Sequence, residues 1–288
     1  MSVATRIPTR RAAASKAPAG ERAADGSLRA YGVLVYLLLY APIVVLVAFA
    51  FNDSREVAIW TKFGTRWWGL AWGDEAFREA FVLSLWTAAV NALVATVLGT
   101  AAALGLRNVG KRTRTAFDAF MYMTLVVPEI VIAIASLLFF STVFPDLLGP
   151  PAIVITHAVF NTSVVILVCR ARLAGMDRSL EEASADLGAS RWGTFRQVTF
   201  PQLFPATLAG ALLAFTFSFD DVVLSTFVTQ AGSSTLPLAV FSELRFGLSP
   251  KTNVVATTML GITLTAIITA QVLLRRGAAR AAGESPAA

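Results

Sequence analysis

Long apolar runs, each about the length a bilayer requires, alternate with shorter polar stretches along this 288-residue chain. A helix needs about 20 mostly apolar residues to cross a hydrocarbon core of ~30 Å. Six runs meet that length: Tyr31–Phe51, Ala80–Leu106, Phe117–Val143, Ala152–Val168, Ala206–Val228 and Asn253–Leu274. Each predicts a membrane helix, so residues 31–276 read as one all-α, six-span domain. Residues 1–30, rich in Ala, Arg, Ser and Pro without an apolar period, predict a disordered tail. A second, short tail covers 277–288. The first run exceeds the 7–15 residues of a signal core, and no small-x-small site follows it, so it reads as an anchor.

Composition narrows the class. Hydrophobic residues make up 56% of the chain and charged residues 15%, against roughly 25% charged in a soluble domain. One cysteine, Cys169, excludes an intrachain disulfide, and with one histidine, His157, it excludes a His/Cys metal cluster. The basic residues carry orientation. If both termini share a side, that side holds eighteen Lys and Arg against six on the other. This bias predicts cytoplasmic termini. The formal charge of +6 is thereby a topology signal, and no basic folded face points to nucleic acid.

Most candidate chemistry fails on context. Gly105–Arg112 (GLRNVGKR) matches a phosphate loop until Arg112 stands where Ser or Thr would hold Mg²⁺, and it follows a membrane helix rather than a strand. The sequon Asn52-Asp53-Ser54 has the exposure that glycosylation needs, although such matches are common by chance. His157 lies within the fourth run and reads as a hydrogen-bonded packing residue. Three acids are different. Glu129 follows Pro128 in the third run, and Asp220 and Asp221 sit together in the fifth. A carboxylate at mid-membrane costs about 2.5–3.5 kcal/mol, so such residues face a cavity or a partner. No Lys or Arg lies mid-span to pair with them. They are the candidate pathway residues, with satisfaction by hydroxyls, water or another subunit as the alternative. On a continuous helix the two Asp would lie about 100° apart, so that one would point into a pathway.

The connection Arg172–Phe204 is too polar for membrane and too patterned for a linker. Ser179-Leu180-Glu181-Glu182 reads as a capping box opening a short helix, with Glu181 and Glu182 suiting its dipole. Gly188 is placed to end that helix in a left-handed turn. A second helix, Ser190–Val198, is predicted to run until Pro201 breaks it. Arg191, Trp192 and Phe195 rim a small-residue surface suited to docking.

These residues resemble a known loop. Glu182-Ala183-Ser184, three residues, Gly188, nine residues and Val198-Thr199-Phe200-Pro201 is similar to the E-A-A-x3-G-x9-I-x-L-P loop of the permeases of binding-protein-dependent ABC importers. The departures are Ser for Ala, Val for Ile and Phe for Leu. The resemblance covers about residues 80–272. It implies the type I, MetI-like permease fold, with six membrane helices and a cytoplasmic coupling helix between the fourth and fifth. It further implies docking to ATPase subunits through Glu182, Ala183, Ser184, Gly188, Arg191, Trp192 and Pro201. Pro128-Glu129-Ile130-Val131, Phe217–Asp221, Ser233–Leu238 and Gly247–Pro250 resemble the spermidine/putrescine importer permeases, most of all the second of their two permease subunits.

The expected partners are a second homologous permease, two ABC ATPase subunits, an extracytoplasmic binding protein and membrane lipid, with no nucleic acid. The expected place is the bacterial plasma (inner) membrane. No ATPase site or cofactor is expected in this chain, ATP and Mg²⁺ being bound by the partner subunits. The alternatives are an iron or sugar-phosphate permease and a proton-coupled carrier, the last leaving the docking loop without a purpose.

Overall fold

The computed structural model describes residues 19–230, 232–247 and 249–283, and their regular structure is helical apart from one isolated antiparallel bridge between Asn52 and Phe63. Helix α1 runs Ala19–Phe49, with its apolar part from Leu28. It takes in residues 19–30, which the sequence reading gave to a disordered tail. Ala, Glu, Arg and Leu there are strong helix formers, and a helix continues beyond the lipid while its backbone stays hydrogen-bonded. Residues 1–18 and 284–288 of the two tails lie outside the described residues. The described residues up to Ala48 belong to a unit of their own, in which Tyr36 and Tyr40 stack at 6.2 Å.

The second unit begins at Phe49. The sequon asparagine is not exposed as expected. Asn52 is buried, donating to Ile59 O at 2.7 Å and accepting from the Thr61 N–H at 3.1 Å, because the loop uses its amide as an internal brace. Helix α2 (Arg66–Gly73) leads through Asp74, whose carboxylate accepts from the Ala76 N–H, into α3 (Glu75–Gly105). Asp74 also pairs with Lys251 at 2.8 Å.

The third predicted span is not one helix. It divides into α4 (Lys111–Val126) and α5 (Glu129–Val143), bent by 101°. The cause lies in Val127-Pro128: proline has no N–H to give, and the residue ahead of it is driven out of the helical region. A 3-10 turn, Pro145–Leu147, precedes α6 (Pro150–Ala174), which extends past both predicted ends of the fourth span.

The polar connection forms α7 (Ser179–Asp186), α8 (Arg191–Thr194) and a π-turn over Phe195–Thr199 that runs into α9 (Phe200–Phe219). Pro201 therefore does not break the helix as predicted. The π-turn opens the coil just ahead of it, the Phe200 N–H reaching back five residues to Phe195 O, and Pro201 occupies the first turn of α9, where its missing N–H is tolerated. The fifth span stops at Phe219 instead of Val228, and α10 (Val223–Val228) follows a break. Helices α11 (Leu236–Phe246) and α12 (Pro250–Gly283) complete the described chain. Among the described residues, five helices are long and apolar enough to cross a membrane, or six when the bent α4–α5 pair counts as one span.

The core of this unit is the packing of α3, α6 and α9. Small residues set their approach. Val165 of α6, fully buried, lies against Gly99 of α3 and Gly210 of α9, within a cluster of Ala95, Ala103, Cys169 and Ala214. Lipid tails supply no hydrophobic drive between helices, so close van der Waals contact over small residues holds such packing together. Asn91 of α3 adds a polar tie, its side-chain amide donating to Ala214 O at 3.1 Å.

Candidate functional site

Two helix breaks face the same cavity. The α4–α5 break puts Glu129 in the first turn of α5, and the α9–α10 break leaves Asp220 capping α9. Together with α6 they enclose a cavity of about 600 Å³ lined by Leu125, Val127, Glu129, His157, Phe160, Asn161, Phe217, Asp220 and Asp221, among others. Non-helical backbone at membrane depth is tolerated only where it is buried in protein or lines such a space. All three acids named from the sequence are thus brought together, but not in the way a continuous helix would place them.

Asp220 and Asp221 play different parts. Asp220 is exposed and lines both this cavity and a neighbouring one of about 410 Å³ between α9, α11 and α12. Asp221 is buried and fully engaged. Its Oδ1 accepts from the Leu224 N–H at 3.2 Å and its Oδ2 from the Ser225 N–H at 2.8 Å, so it caps α10. The same Oδ2 lies 3.1 Å from His157 Nε2, and His157 Nδ1 lies 2.7 Å from Ser218 Oγ.

His157, 1% exposed, is therefore the intrachain partner that the absence of mid-span Lys or Arg had argued against. Its reading as a hydrogen-bonded packing residue holds. The signal for Asp221 was present in the sequence as a capping residue just ahead of a short apolar run, masked by the length of the run around it.

The aromatics separate as well. Phe215 and Phe219 stack at 5.6 Å, with Phe219 in the core, while Phe217 turns to the cavity and meets Phe160 edge-on at 6.3 Å. Asn161 lines the cavity, and its Oδ1 has no hydrogen-bond partner among the described residues.

The second cluster is the loop of α7 and α8. Gly188 takes φ +82°, with the Gly188 N–H on Ala185 O and the Ala189 N–H on Ser184 O, the paired bonds of a Schellman turn. The expected capping box is absent. Ser179 makes no side-chain cap, and the Asp177 carboxylate takes the Ser179 N–H at 2.9 Å instead. The cause is register: the helix starts at Ser179 itself, one residue too early for its hydroxyl to serve as cap. Glu182, Ala183, Gly188, Arg191 and Trp192 are exposed; Ser184 bonds Thr194 at 3.0 Å, tying α7 to α8. Leu187 at 89% and Trp192 at 69% exposure give this face an apolar character.

Glu181, not among the expected docking residues, is the most heavily bonded side chain of the loop. Both its oxygens meet the Arg107 guanidinium, at 2.9 and 3.0 Å, and Thr199 Oγ1 donates to it at 2.7 Å. These bonds, Arg107 first, hold its carboxyl below the usual glutamate range.

Comparisons with known proteins give the family of the chain. Residues 95–280 match the family described as binding-protein-dependent transport system inner membrane component. The putrescine transport system permease protein PotI of Escherichia coli (strain K12) is 40% identical over 235 residues, covering 80% of this chain and 84% of that protein. The spermidine/putrescine transport system permease protein PotC of the same organism is 34% identical over 241 residues, covering 84% and 91%. Among solved structures, a bacterial ABC transporter that imports the acidic polysaccharide alginate superposes with a TM-score of 0.71 at 16% identity, over 89% of this chain and 98% of that one. The MetNI methionine ABC transporter superposes at 0.57, also at 16% identity, over 71% and 99%. With a family match across most of its length, relatives at 34–40% identity and the same helical architecture, the chain belongs to the inner-membrane components of binding-protein-dependent transport systems and is a membrane-spanning permease subunit of an ABC importer.

Proposed function

We propose that this permease forms half of a pathway for a small organic polycation, putrescine or spermidine. The observation that carries the reading is the pair of carboxylates, Glu129 and Asp220, on facing helix breaks around one cavity. Ammonium groups leaving water need such acceptors, and the methylene chain between them needs apolar and aromatic walls; Phe160 and Phe217 supply the walls. Asp220, bordering two cavities, is placed to pass a cation from one to the other. An anionic cargo would meet repulsion here. The names of the relatives, PotI and PotC, support the same cargo class.

The rest of the machine follows from one chain having one docking loop. A second homologous permease would complete the pathway, and two ABC ATPase subunits, binding ATP and Mg²⁺, would take the α7–α8 loops of the pair. An extracytoplasmic binding protein would deliver cargo on the opposite side. The bias of basic residues supports a cytoplasmic place for the loop and both termini.

The test is uptake by the whole importer in liposomes, comparing radiolabelled putrescine, spermidine, ferric iron and a sugar phosphate. Glu129→Gln with Asp220→Asn should abolish polyamine uptake and leave the ATPase subunits bound. Wild-type uptake by that double variant removes the electrostatic argument. Transport of the sugar phosphate by the unmodified importer removes the polyamine assignment.

A further inference from the structure

Helix α7 is an eight-residue helix with no buried residue of its own. A helix that short is unstable in water by itself, so something outside it must hold it in place. Its polar ties do so. Glu181 is gripped by both Arg107 guanidinium nitrogens and by Thr199 Oγ1, and Ser184 bonds Thr194. The two partners of Glu181 come from different membrane helices. Arg107 is two residues beyond the end of α3, and Thr199 is the last residue of the π-turn that opens α9. The ion pair is largely shielded, with Arg107 14% and Glu181 24% exposed, which limits solvent screening. The fork geometry fixes direction as well as distance.

We propose that Arg107, Glu181 and Thr199 form a clasp through which movement of the docking loop is transmitted to α3 and α9, making Arg107 and Glu181 positioning residues for transport. The proposal rests on the reading that the α7–α8 loop takes the ATPase. The loop is then two-sided: Leu187 and Trp192 face outward to the partner, and Glu181 faces inward to the bundle. From Thr199, α9 runs 20 residues, about 30 Å, to Asp220 at the cavity. Meanwhile α3 packs along α6, which carries His157. With no buried residue in α7, a displacement of that helix reaches α3 through these bonds, while α8 reaches α9 through the coil of the π-turn as well. Arg107, whose only reading from the sequence is as part of an orienting basic loop, thereby acquires a specific task.

The experiment uses the whole importer and a reporter independent of cargo. Cys169 is the chain's only cysteine and is buried, so Phe217→Cys places an added thiol at the cavity. Its alkylation is followed without nucleotide and with ATP plus vanadate. In the otherwise unmodified importer the rate should change with nucleotide. In Arg107→Gln and Glu181→Gln that change should shrink about tenfold, a size typical of coupling between sites. ATPase subunits should remain bound and basal hydrolysis should stay within about twofold. The charge exchange Arg107→Glu with Glu181→Arg should restore most of the response. Arg107→Lys, which keeps the charge and loses the fork, should fold and show a partial loss of about threefold.

An unchanged nucleotide response in Arg107→Lys and in either Gln variant overturns the clasp. So does loss of bound ATPase in parallel with the response, which would mean that the bonds only shape the docking face. The docking reading itself is judged separately: Leu187→Ala with Trp192→Ala should release the ATPase, and full retention would refute docking.

Discussion

Val165 sits between two glycines, and the two contacts are unequal. A Cβ built on Gly99 would lie 2.6 Å from Val165 Cβ, 2.7 Å from its Cγ1 and 3.1 Å from Thr162 O. A Cβ on Gly210 would lie 3.2 Å from Cγ1 and 3.5 Å from Cγ2 and Cα. Carbon atoms prefer roughly 3.5–4.0 Å. Gly99→Ala must therefore push α3 and α6 apart by about 1 Å, and Val165, β-branched on a helix, has no alternative rotamer into which to retreat. Such overpacking costs about 3 kcal/mol at the upper end, offset by about 1 kcal/mol of helix propensity gained over glycine.

The net loss at Gly99 is about 2 kcal/mol, or roughly 4–8 °C in melting temperature. At Gly210 a few tenths of an ångström suffice, and strain and propensity cancel to about zero. Thermal unfolding of the purified permease in detergent measures both. Val165→Ala should relieve Gly210→Ala, whose contacts are mainly with the valine methyls. It should relieve Gly99→Ala only in part, because the Cβ contact remains. Equal melting temperatures for Gly99→Ala and Gly210→Ala, or a Gly99→Ala within 1 °C of the parent, would refute the reasoning.

Asp221→Ala should cost about 1–3 kcal/mol for each buried group left unsatisfied, since it strips the hydrogen-bond partner from His157 and from two backbone N–H groups. Yield and melting temperature should fall, whereas Asp220→Asn should leave both unchanged. Gly188→Val forces a β-branched residue to φ +82° and should cost about 1–2 kcal/mol at the loop, with co-purified ATPase lost, while Gly188→Asn is tolerated better. Glu181 titrates below its ordinary value of 4.5, so its contribution to the loop is complete above that pH and is lost as pH falls through the lowered value. Hydrogen exchange of the α7 amides measured across that window should show protection declining on the acid side.

The presence and apolar character of the membrane segments were legible from the chain, though not their ends or continuity, because a bilayer demands about 20 apolar residues whatever their neighbours. The turn between α7 and α8 was legible too: Gly188 supplies a left-handed turn that other residues rarely adopt, and its spacing from Glu182 and Pro201 is a local property of the sequence. What local pattern could not reveal was where apolar runs stop being helices. Val127-Pro128 and Asp220-Asp221 both lie inside runs that hydropathy reads as continuous, since hydropathy averages over the single residues that break a helix. The difference between two adjacent aspartates was likewise invisible. His157 lies 64 residues from Asp221 in sequence, and only the packing of α6 against α9 makes one acid a brace and leaves the other facing a cavity. Arg107 and Glu181, 74 residues apart, meet for the same reason. Side-chain identity and local spacing set the elements; which charges are paired and which remain open depends on distances across the bundle, and those exist only once α3, α6 and α9 have closed on their small residues.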